Sequence, residues 1–419
     1  MAGKINLAIL KNLSYSLLLP LIRYSYGFAL VILLSKNLPV AEYGQWSLLI
    51  STLGILITVA SLNTMYSAQI ILPEVEKDEL GTDILTLGLF KLTFTFFVFL
   101  VVLYFLNVHL EFSGSILRIF AALLIFRTIC DFVFGILRAQ LRVKEQIVFF
   151  FVESALILAF VGSVILRPSS PVTELLKAFL LAEILAAALG IIILLRQKFT
   201  FRLRPHRLRK YFVIGVPLIP FAFLDLIVNA IAPIFIKLFD QYEAVAFYSI
   251  AQKVAMLILI PFAIINNVYG QYLKLGKLDG GIDGALGVMK QFFIIYILLL
   301  GGALLGLVFL GEWIIALVST GAYIEAYPLM LTIAVANIVV TFSSMVTTLF
   351  AVYDKTRIVG TVWIIVLVAY IALSMVLIPK FDLYGAAYAM IISFGVGLII
   401  VSIAALMLVK QMKNDHDTL

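Results

Sequence analysis

The sequence predicts an all-α, polytopic membrane protein with about twelve transmembrane helices. Two observations lead to this prediction: 63% of the 419 residues are hydrophobic and only 13% are charged, about half the charged share of average soluble proteins. Soluble cores stop growing at roughly 250–300 residues, so this much apolar surface requires a bilayer as its solvent. Each span needs about 20 largely apolar residues, and the apolar runs divide into twelve such segments.

The apolar runs are separated by short segments that carry prolines, glycines or charges. The predicted spans cover residues 12–35, 44–72, 84–106, 114–137, 146–166, 174–195, 211–238, 243–272, 284–310, 325–352, 357–378 and 383–409. With the amino terminus placed in the cytoplasm, the inside segments hold 19 lysines and arginines and the outside segments hold 6. This excess of inside positive charge predicts that both termini are cytoplasmic.

The two halves of the chain carry a weak internal repeat. Asn63-x-x-Tyr66 in the second span matches Asn266-x-x-Tyr269 in the eighth. Because six spans is an even number, a duplicated six-helix unit keeps its orientation in the membrane. The repeat therefore predicts two lobes related by a parallel pseudo-two-fold axis along the membrane normal.

The predicted lobes are residues 1–200, with spans 1–6, and residues 201–419, with spans 7–12. A strongly basic segment at about 196–210 lies between them. We expect it to be a cytoplasmic linker that contacts anionic lipid headgroups.

Several function classes have little support in this sequence. The formal net charge is +7, but the basic residues lie in short loops between apolar runs, which indicates membrane orientation rather than nucleic-acid binding. The one cysteine, Cys130, and three well-separated histidines offer no metal-ligand spacing. No glycine-rich phosphate loop or catalytic Ser/His/Asp set is present. We therefore predict no cofactor, no metal and no catalytic residue.

Ionisable residues inside spans are costly and mark functional sites. The bases are Arg23, Lys91, Arg127, Lys253 and Lys290, and the acids are Asp131, Glu153, Glu183 and Asp225. So many charges need a hydrated interior cavity. Because arginine captures phosphate in a bidentate geometry, the bases predict a site for a large anionic substrate. The four acids are candidates for proton or sodium coupling.

A structural explanation exists for several of these charges. Arg127 and Asp131 can pair with one another at i, i+4 on one helix. Lys91 and Lys290 can extend to the cytoplasmic interface, and Glu183 and Asp225 can serve as buried partners for the bases. Arg23 has no acid within one turn, so a functional role is favoured for it.

Polar side chains near the repeat motifs are candidates for sugar binding. Tyr66 could stack on a sugar ring, and Asn63 and Asn266 could donate hydrogen bonds to its hydroxyls. Helix packing and interface anchoring are the alternative explanations for these residues.

Four short motifs resemble those of a known family. They are LSKNLPVAEYGQWS at 34–47, AFYSIA at 246–251, YDK at 353–355 and LYGAA at 383–387. Because these motifs occur in this order and at this spacing, the chain resembles the polysaccharide-biosynthesis flippases (Wzx-type) of the multidrug/oligosaccharidyl-lipid/polysaccharide exporter superfamily. The resemblance extends over nearly the whole length of the chain.

The resemblance implies two six-helix lobes around a central cavity that work by alternating access. The implied substrate is an undecaprenyl-diphosphate-linked oligosaccharide, the repeat unit of O-antigen lipopolysaccharide or another surface polysaccharide. It would move from the cytoplasmic to the periplasmic leaflet of a bacterial inner membrane. The resemblance also implies that Arg23, Arg127 and Lys253 hold the diphosphate, and we expect polysaccharide polymerase or assembly proteins as partners. We expect a monomer, because two lobes can close a cavity within one chain.

Two other functions stay open at this point. An ion-coupled multidrug or small-molecule exporter of the same superfamily would prefer an acidic cavity, whereas the deep bases here slightly outnumber the deep acids. A membrane polymerase or ligase acting on lipid-linked sugars would carry catalytic groups on a large external loop. No predicted outside segment exceeds about fifteen residues, which favours transport.

Overall fold

The computed structural model describes residues 7–166, 171–196, 202–216, 219, 226, 230–353 and 355–417. Every regular element within these residues is helical, which confirms the all-α fold class. The chain divides into two compact units, Met1–Ile219 and Pro220–Leu419. The lobe boundary at residue 200 and the pseudo-two-fold axis stay predictions.

Eight α-helices make up the described part of the first unit. They are α1 (Leu7–Asn37), α2 (Val40–Ser61), α3 (Thr64–Ile71), α4 (Lys77–Val108), α5 (Gly114–Ala139), α6 (Val143–Ile165), α7 (Val172–Leu195) and α8 (Leu208–Gly215). Short 3₁₀ helices cover Leu72–Glu74 and Pro205–Arg207.

Helix α5 is the centre of the first unit, since it packs against α3, α4, α6 and α7. It begins at Ser113, whose hydroxyl accepts a hydrogen bond from the backbone N–H of Ile116 at 3.4 Å, as a helix N-cap does. Cys130, Val133 and Ile136 of α5 are buried in an apolar cluster with residues of α4, α6 and α7. This arrangement brings Arg127 and Asp131 of α5 beside helices α4, α6 and α7.

The predicted second span, 44–72, is interrupted between α2 and α3. Leu62 and Asn63 adopt left-handed backbone angles, with φ of 43° and 55°. Asparagine tolerates this conformation better than most residues, and here it precedes the first residue of α3. The break divides the predicted span into a helix of 22 residues and a helix of 8 residues.

Five α-helices make up the described part of the second unit. They are α9 (Ala232–Phe239), α10 (Tyr242–Ala255), α11 (Leu259–Val318), α12 (Tyr327–Val352) and α13 (Thr356–Asp417), with 3₁₀ helices at Met256–Ile258 and Gly321–Ala326. Helix α11 contains non-helical angles at Gly280 and Gly281, and α13 contains them at Asp382. Both breaks fall in segments predicted as loops between spans.

Nine helices of the described residues are long and apolar enough to cross a membrane. Two of them, Tyr269–Val318 with 50 residues and Arg357–Asn414 with 58 residues, contain the breaks and exceed the length of a single span. The chain is therefore a multi-pass membrane protein. The count of twelve spans stays a prediction.

Candidate functional site: ion pairs inside the first unit

Three ion pairs of the described residues connect the long helices α4, α5, α6 and α7 of the first unit. Lys91 of α4 donates to Oδ2 of Asp131 on α5. The Lys91 side chain is 0% exposed, whereas 42% of the Asp131 side chain is exposed. The alternative that Lys91 extends to the cytoplasmic interface is therefore wrong, because its ammonium group is buried against a carboxylate of the neighbouring helix.

Arg127 of α5 contacts two carboxylates. Its Nη1 donates to Oε1 of Glu153 on α6, and to Oε1 of Glu183 on α7 at 2.8 Å. The two glutamates are buried, at 4% and 0% side-chain exposure. Because one guanidinium on α5 donates both bonds, Arg127 connects α5 with α6 and α7.

The alternative that Arg127 pairs with Asp131 on the same helix is wrong. The two residues lie one turn apart on α5, but each finds its partner on another helix. Glu183, considered as a buried partner for the bases, does have this role. Its second oxygen, Oε2, is buried without a hydrogen-bond partner among the described residues.

Helix α1 brings two more polar residues to this region. Arg23 is exposed, and its positive charge is close enough to interact electrostatically with the carboxylate of Asp131. Tyr26, one turn further along α1, packs its ring edge-on against Phe150 of α6, with ring centroids 6.4 Å apart. The charge of Arg127 acts on the Tyr26 hydroxyl. We name the seven residues Arg23, Tyr26, Lys91, Arg127, Asp131, Glu153 and Glu183 the N-unit charge cluster.

The N-unit charge cluster is electrically balanced. Its three bases, Arg23, Lys91 and Arg127, face three acids, Asp131, Glu153 and Glu183. The ion pairs are not distributed one base to one acid. Arg127 contacts two carboxylates, whereas Arg23 has an exposed side chain. The expectation that bases outnumber acids does not apply to this cluster.

The other predicted site residues lie elsewhere. Asn63 precedes α3 and is half-buried, and Tyr66 on α3 is exposed. In the second unit, Lys253 on α10 and Lys290 on α11 are both exposed. Asn266 on α11 is half-buried, with an Oδ1 atom that has no hydrogen-bond partner among the described residues. Asp225 lies outside the described residues.

A second cluster of charges, which the sequence reasoning missed, lies where the basic segment meets α4. Asp83 is fully buried and accepts hydrogen bonds from Lys210 Nζ at 2.5 Å and from the Tyr211 hydroxyl at 2.7 Å. Arg207 contacts Asp83 through Nε at 2.7 Å and donates to Glu79 through Nη2 at 2.6 Å.

The bond to Glu79 raises the pKa of Arg207 above its ordinary value, so the guanidinium stays charged. The i, i+4 spacing of Glu79 and Asp83 was the available signal, because it places two carboxylates on one face of α4. The described part of the basic segment is thus held against the first unit.

The family model for polysaccharide biosynthesis proteins matches residues 9–269. An inward-facing multidrug resistance MATE family transporter of the MOP superfamily is similar at a TM-score of 0.76 and 15% identity, over 93% of this chain and 95% of that chain. Lipid II flippase MurJ in an inward closed conformation is similar at a TM-score of 0.71 and 12% identity, over 93% and 87%.

A MOP superfamily transporter from Pyrococcus furiosus, whose binding pocket has reversed polarity, is similar at a TM-score of 0.61 and 14% identity, over 97% and 96%. No curated protein matches the chain. These solved structures show the fold, that of MOP superfamily transporters. Since the family model covers more than half of the sequence, the chain belongs to the polysaccharide biosynthesis protein family.

Proposed function

We propose that this protein flips an undecaprenyl-diphosphate-linked oligosaccharide from the cytoplasmic to the periplasmic leaflet by alternating access. The observation that carries the proposal is the presence of two bases, Lys91 and Arg127, inside the apolar helices of a polysaccharide biosynthesis family member. Charges at this depth are costly and have a function by default. A diphosphate is the part of a lipid-linked sugar that such bases can recognise.

Arg23 is the proposed first contact for the diphosphate. Its side chain is exposed, so a phosphate can approach it. Arg127 donates to both glutamates through Nη1, so a phosphate that binds this nitrogen would have to displace Glu153 or Glu183. Lys253 and Lys290 are proposed bases of the second unit, and Tyr66, Asn63 and Asn266 are proposed sugar contacts.

The proposed ion coupling uses the same carboxylates. When a phosphate binds Arg127 in place of the two glutamates, Glu153 and Glu183 lose their counter-charge. They must then bind a proton or sodium ion to stay buried. The buried Oε2 of Glu183 is an acceptor for that cation. Exchange of carboxylate for phosphate on one arginine would thus link substrate binding to ion binding. Asp131 and Asp225 are further proposed coupling residues.

An ion-coupled exporter of drugs or other small molecules is the second candidate function. The observation that favours it is the equal number of bases and acids in the N-unit charge cluster, which leaves no surplus positive charge for an anion. The likeness to a multidrug resistance transporter extends over a similar share of the chain as the likeness to the flippase. A polymerase or ligase is less favoured, because the similar solved structures are transporters.

The proposed setting is a bacterial inner membrane with both termini in the cytoplasm. The protein would act as a monomer and supply its product to polysaccharide polymerase or assembly proteins. It would move the repeat unit of O-antigen lipopolysaccharide or of another surface polysaccharide.

The test is a leaflet-resolved assay in a strain that lacks the gene and is complemented with it. Lipid-linked oligosaccharide should accumulate on the cytoplasmic face without the protein and appear on the periplasmic face with it. Periplasmic repeat units that arrive without the protein but stay unpolymerised would instead favour the enzyme. An unchanged lipid pool together with restored drug efflux would favour the exporter.

A further inference from the structure

A tight turn at 140–142 connects α5 with α6. The backbone N–H of Leu141 donates to the carbonyl of Arg138 at 3.1 Å, and that of Arg142 donates to the carbonyl of Leu137 at 2.9 Å. These two bonds form a Schellman motif, in which the residue after the helix cap has left-handed backbone angles. Leu141 has such angles, with φ of 57°. The turn thereby fixes Arg142 at the amino end of α6.

The amino end of α6 presents hydrogen-bond donors. The first backbone N–H groups of an α-helix have no partner within the helix and are commonly capped by a Ser, Thr, Asp or Asn side chain. Arg142 stands at the cap position of α6 and makes no side-chain cap bond, because a guanidinium has donors only. The partial positive charge of a helix amino end favours an anion.

Two side-chain donors at this end of α6 are buried. Nη1 of Arg142 and Nε2 of Gln146 have no hydrogen-bond partner among the described residues, and Gln146 is only 3% exposed. The backbone N–H of Gln146 donates to the Arg142 carbonyl at 3.0 Å, so Gln146 lies one turn after Arg142. Because side chains of a helix tilt towards its amino end, Gln146 extends back over the first turn. A buried donor without an acceptor is costly, so two of them in one turn point to a ligand that accepts hydrogen bonds.

The charge of the turn favours an anionic ligand. Residues 138–145 contain three bases, Arg138, Arg142 and Lys144, and one acid, Glu145. Glu145 pairs with Nη2 of Arg142, which leaves Nη1 for another acceptor. The Arg142 side chain is 26% exposed, so a ligand can approach the guanidinium. A guanidinium, an amide and backbone N–H groups at a helix amino end are donors that suit the oxygens of a phosphate.

We propose that Arg142, Gln146 and the amino end of α6 bind a phosphate group carried by a lipid. Helices α5 and α6 are both candidate membrane spans, so the turn between them lies at the level of lipid headgroups. By the predicted orientation, this is the cytoplasmic leaflet. The phosphate belongs either to an anionic phospholipid or to the lipid-linked diphosphate of the proposed function, because both present the same acceptor oxygens.

The proposed phosphate site is separate from the N-unit charge cluster and in line with it. Gln146 and Glu153 are seven residues apart on α6, so they share one face of the helix and lie about 10 Å apart along its axis. Arg138 and Asp131 have the same spacing on α5. A lipid-linked diphosphate that enters from the cytoplasmic leaflet would therefore reach Gln146 before Glu153. This last step rests on the proposed function, whereas the binding of a phospholipid does not.

Native mass spectrometry of the full-length protein tests the phosphate site with three probes: dioleoyl phosphatidic acid, undecaprenyl diphosphate and dioleoylglycerol, which has no phosphate. We expect the protein to retain at least one of the two phosphate lipids and to retain dioleoylglycerol much less. Gln146→Leu and Arg142→Gln should each weaken phosphate-lipid binding about tenfold, and Arg118→Gln, an exposed base at the start of α5, less than about twofold. The phosphate lipid that binds more tightly identifies the source of the phosphate. Unchanged binding in both Gln146→Leu and Arg142→Gln, or equal retention of phosphatidic acid, undecaprenyl diphosphate and dioleoylglycerol, would overturn the proposal. If phosphatidic acid binds as expected but the leaflet-resolved assay shows no flipping, only the proposed function fails.

Thermal unfolding in detergent separates binding from folding. Replacing an unpaired buried amide by an apolar side chain of similar size removes a desolvation cost, so without added lipid Gln146→Leu should unfold at no lower a temperature than the wild type. The phosphate lipid that binds more tightly should raise the unfolding temperature of the wild type, since a ligand that binds only the folded state stabilises it. The same lipid should not raise the unfolding temperature of Gln146→Leu. A lower unfolding temperature of Gln146→Leu without lipid would mean that the amide has a partner within the protein, and the site would be rejected.

Discussion

Lys91 of α4 and Asp131 of α5 form an ion pair in which the lysine is completely buried while the aspartate keeps 42% of its side chain exposed. The pair is therefore asymmetric. If the carboxylate is removed, the ammonium group stays buried without a counter-charge. If the lysine is replaced by an apolar residue, the carboxylate can still be hydrated.

The asymmetry predicts unequal losses of stability. Asp131→Asn should lower the free energy of unfolding by about 2 kcal/mol, less than the roughly 3–5 kcal/mol of a fully buried pair because Asp131 is partly exposed. Lys91→Met should lower it by less than about 1 kcal/mol. Equilibrium unfolding in detergent measures both, and Lys91→Met/Asp131→Asn should be more stable than Asp131→Asn. A larger loss for Lys91→Met than for Asp131→Asn would contradict this interpretation.

The contacts of Arg127 predict a different pattern of stability losses, because one guanidinium pairs with two carboxylates. Arg127→Gln leaves Glu153 and Glu183 buried near one another without a counter-charge and should destabilise the protein by about 3 kcal/mol or more. Glu153→Gln leaves a one-to-one pair between Arg127 and Glu183 and should cost about 1 kcal/mol or less. Arg127→Gln/Glu153→Gln should recover part of the loss. If the double variant is no more stable than Arg127→Gln, repulsion between the carboxylates is not the cause.

Arg23 is expected to matter for transport rather than for stability. Arg23→Ala should abolish movement of lipid-linked oligosaccharide at normal expression, because the proposed phosphate contact is lost. Arg23→Lys should keep part of the activity, since the charge survives while the bidentate fork is lost. The leaflet-resolved assay measures both, with Arg118→Ala as the control. Full activity of Arg23→Ala would exclude this residue as a phosphate contact.

Hydropathy and charge placement were enough to predict the all-α membrane fold and the helix breaks near Gly280 and Asp382. They could not predict which charges pair. Arg127 has an acid one turn away on its own helix, yet it bonds Glu153 and Glu183, because packing of α5 against α6 and α7 decides which side chains face each other. The pairing of Asp83 with Lys210 and Tyr211 joins residues more than 120 positions apart. The i, i+4 spacing of Glu79 and Asp83 indicates an acidic face of α4, but it does not indicate which residues that face contacts.

The break in α11 at Gly280 and Gly281 brings two backbone segments close together and predicts a strict requirement for glycine at position 284. A Cβ at Gly284 would lie 2.2 Å from the Gly276 carbonyl oxygen, and a backbone atom cannot move aside as a side chain can. Gly284→Ala should therefore destabilise the protein by about 2 kcal/mol or more. Gly302→Ala is the control, since a Cβ at this position would have nothing within 4 Å among the described residues, and it should stabilise helix α11 by about 0.5–1 kcal/mol. Thermal unfolding of the two variants should shift in opposite directions, and similar shifts would contradict the close approach.

The contacts of Asp83 with Arg207 and Lys210 predict that the basic segment is protected from protease cleavage. Asp83→Asn removes the negative charge that Arg207 and Lys210 share and leaves a buried amide beside two cations. The segment should detach more often, because its remaining contacts with Glu79 are partly exposed and weak. Limited trypsin digestion in inverted membrane vesicles should then cleave after Arg204, Arg207 or Lys210 several times faster than in the wild type. Glu76→Gln, an exposed carboxylate just before α4, is the matched control and should leave the cleavage rate unchanged. Equal cleavage of wild type and Asp83→Asn would mean that packing of α8, rather than the buried carboxylate, holds the segment in place.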